Sequence, residues 1–259
     1  MNILQSKDGY KNVLHNHYDF CIFQISKHDN HESNGRIVMI NKRSLILILI
    51  FMGLTLSLDI IRAQNQYSLN LDGINQFLNP NHLNQHDLEQ TLITITNQTR
   101  KEHRLQPCRY DMNLRKVARA HSEEMVRLKY FSHESPVAEN SQLVDRIKKV
   151  GLSVGNTVIG ENIGVDYFLR IANVRFYKKV KQGKSVYIAA ETGEIIGFQS
   201  YWEFANRMVK NWMKSPGHRA NILNKDFDRI GIGFSAGLFN GLEAIYVTQN
   251  FMGSLQPKK

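Results

Sequence analysis

Ser200-Tyr201-Trp202-Glu203-Phe204-Ala205-Asn206-Arg207-Met208-Val209-Lys210-Asn211-Trp212-Met213-Lys214-Ser215-Pro216-Gly217-His218 sets the frame for the whole chain. It opens with Ser200 and Glu203, a capping box that starts a helix. Tyr201, Phe204, Met208 and Trp212 recur at helical spacing and form one apolar stripe. Pro216 stops the helix, because its ring removes a backbone donor and clashes with the preceding turn. Downstream, residues 230–235 and 244–251 read as two strands joined through Asn240-Gly241, a hairpin dipeptide. Upstream, three more helices are expected. Asp87 with Gln90 caps the first, which carries Leu88, Leu92 and Ile95 and runs to about Arg104. The second starts near Asp111, with the stripe Leu114, Val117, Ala118, His121, Met125 and Leu128. The third lies between Ser141 as N-cap and Gly151 as terminator, around Leu143, Val144, Ile147 and Val150. Residues 174–180 and 185–189 flank Gln182-Gly183 as a second hairpin, and 194–198 follow the Thr192-Gly193 turn. Helices segregated from antiparallel strands give an α+β domain, placed at residues 87–256.

The chain has 259 residues, 42% of them hydrophobic and 22% charged, so a packed core is expected and wholesale disorder is not. Two cysteines, Cys21 and Cys108, exclude a disulfide-dense scaffold and a Cys₄ zinc module. The formal net charge of +10 permits contact with anionic surfaces but does not argue for nucleic acid as a partner.

Near the N-terminus, Lys42-Arg43 precedes the apolar run of residues 44–58, and Ala63 follows it. That is the layout of a secretory signal at residues 39–63, short for a membrane span of about 20 residues. Uncleaved, residues 44–58 would instead be a membrane anchor. Translation is expected to begin at Met39, with residues 1–38 a non-native or disordered extension. The alternative is a cytoplasmic tail on an anchored protein. Residues 64–86, rich in Asn and Gln, read as a linker. Cleavage after Ala63 would leave Cys108 as the mature chain's lone cysteine, so stability would depend on the core.

Several motifs have bland readings. Gly233-Phe234-Ser235-Ala236-Gly237 fits the nucleophile elbow, but that motif needs a helix after it, and a strand is expected here. It reads better as a glycine-punctuated strand end. Asn97-Gln98-Thr99 is a glycosylation sequon inside an expected helix. Lys178-Lys179-Val180-Lys181 reads as a solvated hairpin edge, where lysine discourages edge pairing. His121, on an apolar helix stripe, reads as a hydrogen-bonded core residue. His133 and His218 differ, because both are expected on irregular backbone beside helix ends. With Glu161 they could hold a divalent metal with open positions, or a water.

Together the motifs resemble the CAP superfamily of cysteine-rich secretory, antigen-five and pathogenesis-related proteins, also called SCP domains, in its microbial branch. The resemblance covers residues 88–253. It rests on Asn97, Arg100, Tyr110-Asp111, Ala118-x-Ala120-His121-Ser122-x-x-Met125, Phe131-Ser132-His133 and Gly160-Glu161-Asn162-Ile163. Further motifs are Trp212-Met213-x-Ser215-Pro216-Gly217-His218-Arg219-x-Asn221-Ile222-Leu223, Ile230-Gly231-Ile232-Gly233 and Tyr246-Val247-Thr248-Gln249-Asn250-Phe251. The resemblance implies a three-layer α-β-α sandwich with a central antiparallel sheet and a cleft of two histidines and two glutamates. His133, Glu161 and His218 match three of those positions, and Ser215 stands where the fourth, a glutamate, is expected. Residues 166–199 are longer than the family pattern and are expected to add a hairpin beside the cleft.

The leading expectation is a secreted or envelope-located monomeric binding module. Its cleft would recognise a lipid, a peptide or an envelope component, with Zn²⁺ or another divalent ion held weakly by His133 and His218. One alternative is a metal-assisted hydrolase with Glu161 as general base on a bound water. The other is a structural domain with a vestigial cleft. The sequence holds no ordered nucleophile–base–orienter set, so catalysis is not expected.

Overall fold

A computed structural model describes residues 22–26, 75–171, 174–181 and 184–254. The elements run β1 (Ile22–Ser26), α1 (Gln85–Glu102), β2 (Arg109–Tyr110), α2 (Met112–Leu128), a 3₁₀ turn (Ala138–Asn140) and α3 (Leu143–Lys149). Then come β3 (Thr157–Tyr167), β4 (Phe176–Lys181), β5 (Lys184–Ala189), α4 (Tyr201–Lys214), α5 (Pro216–Ile222), β6 (Arg229–Phe239) and β7 (Leu242–Ser254). One sheet has the order β1-β3-β7-β6-β2, and β4-β5 form a separate ribbon. β1, β3, β7 and β6 pair antiparallel, while the two-residue β2 pairs parallel with β6. The central sheet is therefore mixed at one edge rather than wholly antiparallel. The expected signal at residues 39–63 and the Gln182-Gly183 turn lie outside the described residues, as does most of the N-terminal extension.

Two helical layers sandwich the sheet. Leu88, Leu92 and Ile95 of α1 pack with Phe204, Met208 and Trp212 of α4 on Ile230, Ile232, Val247 and Phe251. On the opposite face, Leu114 and Val117 of α2 and Leu143 and Ile147 of α3 meet Ile159 and Met252. The helix starts explain the boundaries. α1 is capped by Asn84, whose side chain accepts from the Asp87 amide, so Asp87 sits in the first turn instead of at the cap. α2 starts where expected, with Asp111 as its cap, accepting from the amides of Asn113 and Leu114. α3 is capped by Gln142 and Asp145 instead of Ser141, and ends beside Gly151 at φ +78°. The Ser200–Glu203 box is present at α4. Pro216 ends nothing by itself: it is the first residue of α5, where proline needs no donor. His218 is thus on a helix, not on a loop. Leu128, placed on the α2 stripe by its spacing, is 38% exposed at the helix end.

Three strands are absent from the sequence reading: the short edge strands β1 and β2, and the long β3, which lies between β1 and β7. Both faces of β3 are covered, so its residues lack the polar–apolar alternation of a half-solvated strand. Alternate residues still face opposite layers. Val158 joins the α1/α4 core and Ile159 the α2/α3 core. On β6, glycines set the distance of α2. A Cβ on Gly231 would lie 2.2 Å from the Arg115 amide nitrogen, and one on Gly233 would lie 2.1 Å from that of Arg119. The elbow-like motif is therefore strand interior on which a helix backbone rests. The Asn240-Gly241 turn has both residues at positive φ, +50° and +79°, as a tight hairpin of this type requires. Residues 194–198 form only isolated bridges, Ile195 with Ile188 and Phe198 with Leu169.

Part of the stretch read as linker is packed onto the domain. Leu78 is fully buried, its amide donates to the Gln199 carbonyl at 2.7 Å, and Asn84 N donates to Tyr201 Oη at 2.8 Å. Ile22–Ser26, within the stretch read as an extension, runs antiparallel to Thr157–Glu161 along the sheet edge.

Candidate functional site

β3 carries Glu161 on the face covered by α2 and α3, opposite Asn250 of β7. The carboxylate is completely buried. Arg146 of α3 reaches it with Nη2, which donates to Oε1 at 2.9 Å and Oε2 at 2.8 Å. Arg146 Nη1 meanwhile donates to the carbonyls of His133 and Asn140 at 3.1 and 2.8 Å. His133 Nδ1 lies 2.9 Å from Glu161 Oε1. Asn250, its amide nitrogen turned to the carboxylate, donates to Oε2 at 3.0 Å and accepts from the Ala118 amide at 3.2 Å. His121 Nε2 stands 3.9 Å from Oε1.

Burial alone would raise the Glu161 carboxyl. Arg146, His121 and the His133 hydrogen bond outweigh it and hold the group well below the usual carboxylate range. At neutral pH the contribution of His121 vanishes, because burial pushes that imidazole down to about 4. Arg146 and His133 therefore keep Glu161 ionised. An ionised carboxylate only accepts, so His133 Nδ1 donates to it. By the same logic His121 Nε2 donates to the Ser132 carbonyl at 3.1 Å. His121 is a hydrogen-bonded core residue, as its place on the stripe suggested.

His218, in α5, brings its ring to 6.1 Å from that of His133, centroid to centroid, tilted by 37°. Burial, and then the neighbouring His133, lowers His218 to about 4, so it is neutral at pH 7. Ser215, also buried, is the residue that precedes α5, three before His218. Three residues singled out from sequence, His133, Glu161 and His218, thus converge from different elements. The fourth, Ser215, stands on the same helix start as His218.

The chemistry available is narrower than the residue types suggested. Glu161 has both oxygens engaged and a strongly lowered proton affinity, so it is poorly suited to act as a general base or to ligate a cation. Among the described residues, no group of three or more His, Cys, Asp or Glu is arranged to hold a metal ion. What fits a metal is limited to two imidazoles. His133 is oriented by a carboxylate in the manner common to ligating histidines.

Sequence reading passed over Arg146 and the polar wiring behind the site. Asn221 Nδ2 donates to the Glu161 carbonyl at 3.0 Å and to Asn162 Oδ1 at 2.9 Å. Asn162 Nδ2 donates to Gln249 Oε1 at 2.9 Å, and Gln249 Nε2 to Thr96 Oγ1 at 2.9 Å. The chain of amides ties α5, β3, β7 and α1 together, and each link satisfies a buried group. Arg100, fully buried, likewise donates to the carbonyls of Ile222, Asn224 and Phe227 at 2.8, 2.9 and 2.9 Å. It fixes the loop that follows α5. The Asn97 sequon side chain is occupied inside the fold, bonded to both the amide and carbonyl of Cys108 at 2.8 and 2.9 Å.

The model of CAP, the cysteine-rich secretory protein family, matches residues 93–251. An uncharacterized protein of Bacillus subtilis, YkwD, is 32% identical over 146 residues, covering 56% of this chain and 42% of YkwD. The uncharacterized membrane protein YlbC of the same organism is 26% identical over 164 residues, covering 63% of this chain and 34% of YlbC. The chain thus spans less than half the length of these relatives. Among solved structures, an extracellular SCP-domain protein of Bacillus anthracis matches at 26% identity and a TM-score of 0.41. That match covers 66% of this chain and 41% of the other. A cysteine-rich secretory protein of Staphylococcus aureus matches at 16% identity and a TM-score of 0.37, covering 66% and 39%. The family motif spans well over half of the chain and includes every residue of the site, so this protein belongs to the CAP, cysteine-rich secretory protein family.

Proposed function

We propose that the chain is an exported, non-catalytic binding module whose His133–His218 pair recognises an organic ligand, a lipid, a peptide or an envelope component. The observation that carries this reading is the state of Glu161. Its carboxylate is spent on Arg146, His133 and Asn250, so the site has an orienting acid where a hydrolase would need a basic one. Export is supported by the Lys42-Arg43 cluster and the apolar run before Ala63. No described helix is long and apolar enough to cross a membrane.

A second reading keeps a divalent ion between the two histidines. It is favoured by the hydrogen bond from His133 Nδ1 to Glu161, which orients the ring, and by the neutrality of His218. Zn–N bonds of about 2.0–2.1 Å put two rings that share one ion roughly 5–6 Å apart, near the 6.1 Å found here. Isothermal titration with Zn²⁺ on the wild type, His133→Ala, His218→Ala and Ser215→Glu separates the two readings. The organic-ligand reading expects equal, negligible heats in the first three proteins. It also expects thermal shifts with members of a fatty-acid and peptide panel that either histidine substitution abolishes. Binding of Zn²⁺ that both alanine variants lose and Ser215→Glu tightens would establish the metal reading instead.

A further inference from the structure

The β4–β5 ribbon lies outside the central sheet and is not used by the site. Between Arg170 and Glu191 the sequence has no acidic residue and five basic ones, Arg175, Lys178, Lys179, Lys181 and Lys184. Glu191, the next acid along the chain, is paired with Arg175 at 3.1 Å. The base of the ribbon is anchored: Ile188 and Ala189 are buried, and Phe176 and Tyr187 pack on a cluster containing Tyr167, Leu169 and Ile171. The distal part is not. Lys178, Lys179, Val180 and Lys181 are all exposed although successive residues face opposite sides, so both faces of the ribbon stand in solvent there.

Lysines on a ribbon edge are explained by protection against edge pairing. That account does not cover Val180, which is 69% exposed between Lys179 and Lys181. Nor does it cover the two tyrosines beneath the ammonium groups. Lys178 Nζ sits 6.0 Å from the Tyr187 ring centroid and Lys179 Nζ 5.3 Å from that of Tyr177. Cations, an exposed valine and aromatic rings with polar ends are the combination that suits a lipid headgroup region. There the lysines meet phosphates while Val180 leaves water. A dissolved polyanion would use the lysines alone.

We propose that the distal β4–β5 ribbon, through Lys178, Lys179, Lys181 and Val180, docks the domain on an anionic lipid surface. The proposal is independent of what the His133–His218 pair binds. Its test is co-sedimentation of the full chain with vesicles of phosphatidylcholine alone and of phosphatidylcholine mixed equally with phosphatidylglycerol. The ratio of the two partition coefficients is the readout, because any contribution of residues 44–58 enters both. A lysine close to an anionic bilayer contributes about fivefold in binding. The triple variant Lys178→Gln/Lys179→Gln/Lys181→Gln should therefore lower the ratio by roughly a hundredfold, and high salt should do the same to the wild type. Val180→Ser, which keeps every charge, should weaken binding to the anionic vesicles by several-fold. An unchanged ratio in the triple variant overturns the proposal. So does a Val180→Ser variant that binds as tightly as wild type while soluble polyphosphate strips the chain from the vesicles, because the partner would then be a soluble polyanion.

Discussion

Replacing Arg146 by Met tests the central ion pair most directly. The side chain stays unbranched and flexible but is two atoms shorter, and it loses the charge that faces Glu161, a carboxylate with no exposed surface. Removing one partner of a buried pair leaves the other charge uncompensated and costs about 3–5 kcal/mol. Three backbone carbonyls, of His133, Asn140 and Ser141, lose their donor in the same step. With a urea slope of about 2 kcal/mol per molar for a domain of this size, the midpoint at pH 7.5 should fall by about 2 M. The pH dependence of that loss identifies its cause. In the wild type, Arg146 and His133 hold Glu161 ionised, and its contribution disappears only below the ordinary carboxylate value of 4.5. In the variant, burial dominates and the Glu161 pKa rises above that value. Protonation then removes the buried charge as pH falls, so the difference between the two proteins should shrink from pH 7.5 to pH 5. The double variant Arg146→Met/Glu161→Gln should recover more than half of the loss at pH 7.5, because neither charge remains. A midpoint difference equal at both pH values, with no recovery in the double variant, would refute the electrostatic argument and leave Arg146 as packing.

Gly233→Ala should destabilise the domain by about 3 kcal/mol, the upper range for overpacking, since its Cβ would meet α2 backbone that cannot move aside alone; denaturant midpoints check this. Trp212→Ala should cost about 3–5 kcal/mol, because Trp212 is fully buried and its Nε1 donates to the Ile163 carbonyl at 2.8 Å; an unchanged midpoint would place it outside the core. His121 and His218 each bind a proton at 6.5 when unfolded but only at about 4 when folded. The unfolded state therefore takes up more protons as pH falls, and stability present above pH 6.5 should be lost between 6.5 and 4. Each histidine accounts for up to roughly 3 kcal/mol. A flat midpoint across that range would contradict their burial in neutral form.

What the sequence disclosed follows the physics of exposure. α2 and α4 each have one wet face, so their stripes were readable, and the Asn240-Gly241 hairpin announces itself through its backbone demands. β3 has no wet face, and its polar centre of Glu161 and Asn162 mimics a loop. α5 was hidden because Pro216 has two meanings, a stop for the helix before it and a start for the one after it. His133, Glu161 and His218 were singled out by residue type and position, and the motif resemblance then matched them to a shared cleft. Arg146 was not, because an arginine on a short helix next to two lysines looks like solvated surface until its distance to Glu161 is known. That no third metal-ligating group stands beside the two histidines among the described residues could not be read from residue types, because it depends on where the Glu161 carboxylate spends its lone pairs.

The alternation of polar groups on β3 has a consequence for how the chain finds its fold. Shifting β3 by one residue against β7 would turn every side chain to the opposite layer. Glu161 would enter the layer of Met208 and Trp212, and Asn162 would face Arg146 with no charge to offer it. Two buried charges would be stranded at once, on opposite sides of the sheet. An all-apolar β3 would suffer far less from such a slip, since Val, Ile and Leu are tolerated by either core. The carboxylate and the amide next to it therefore act as a registration mark: they penalise every odd-numbered misalignment of the central strand pair.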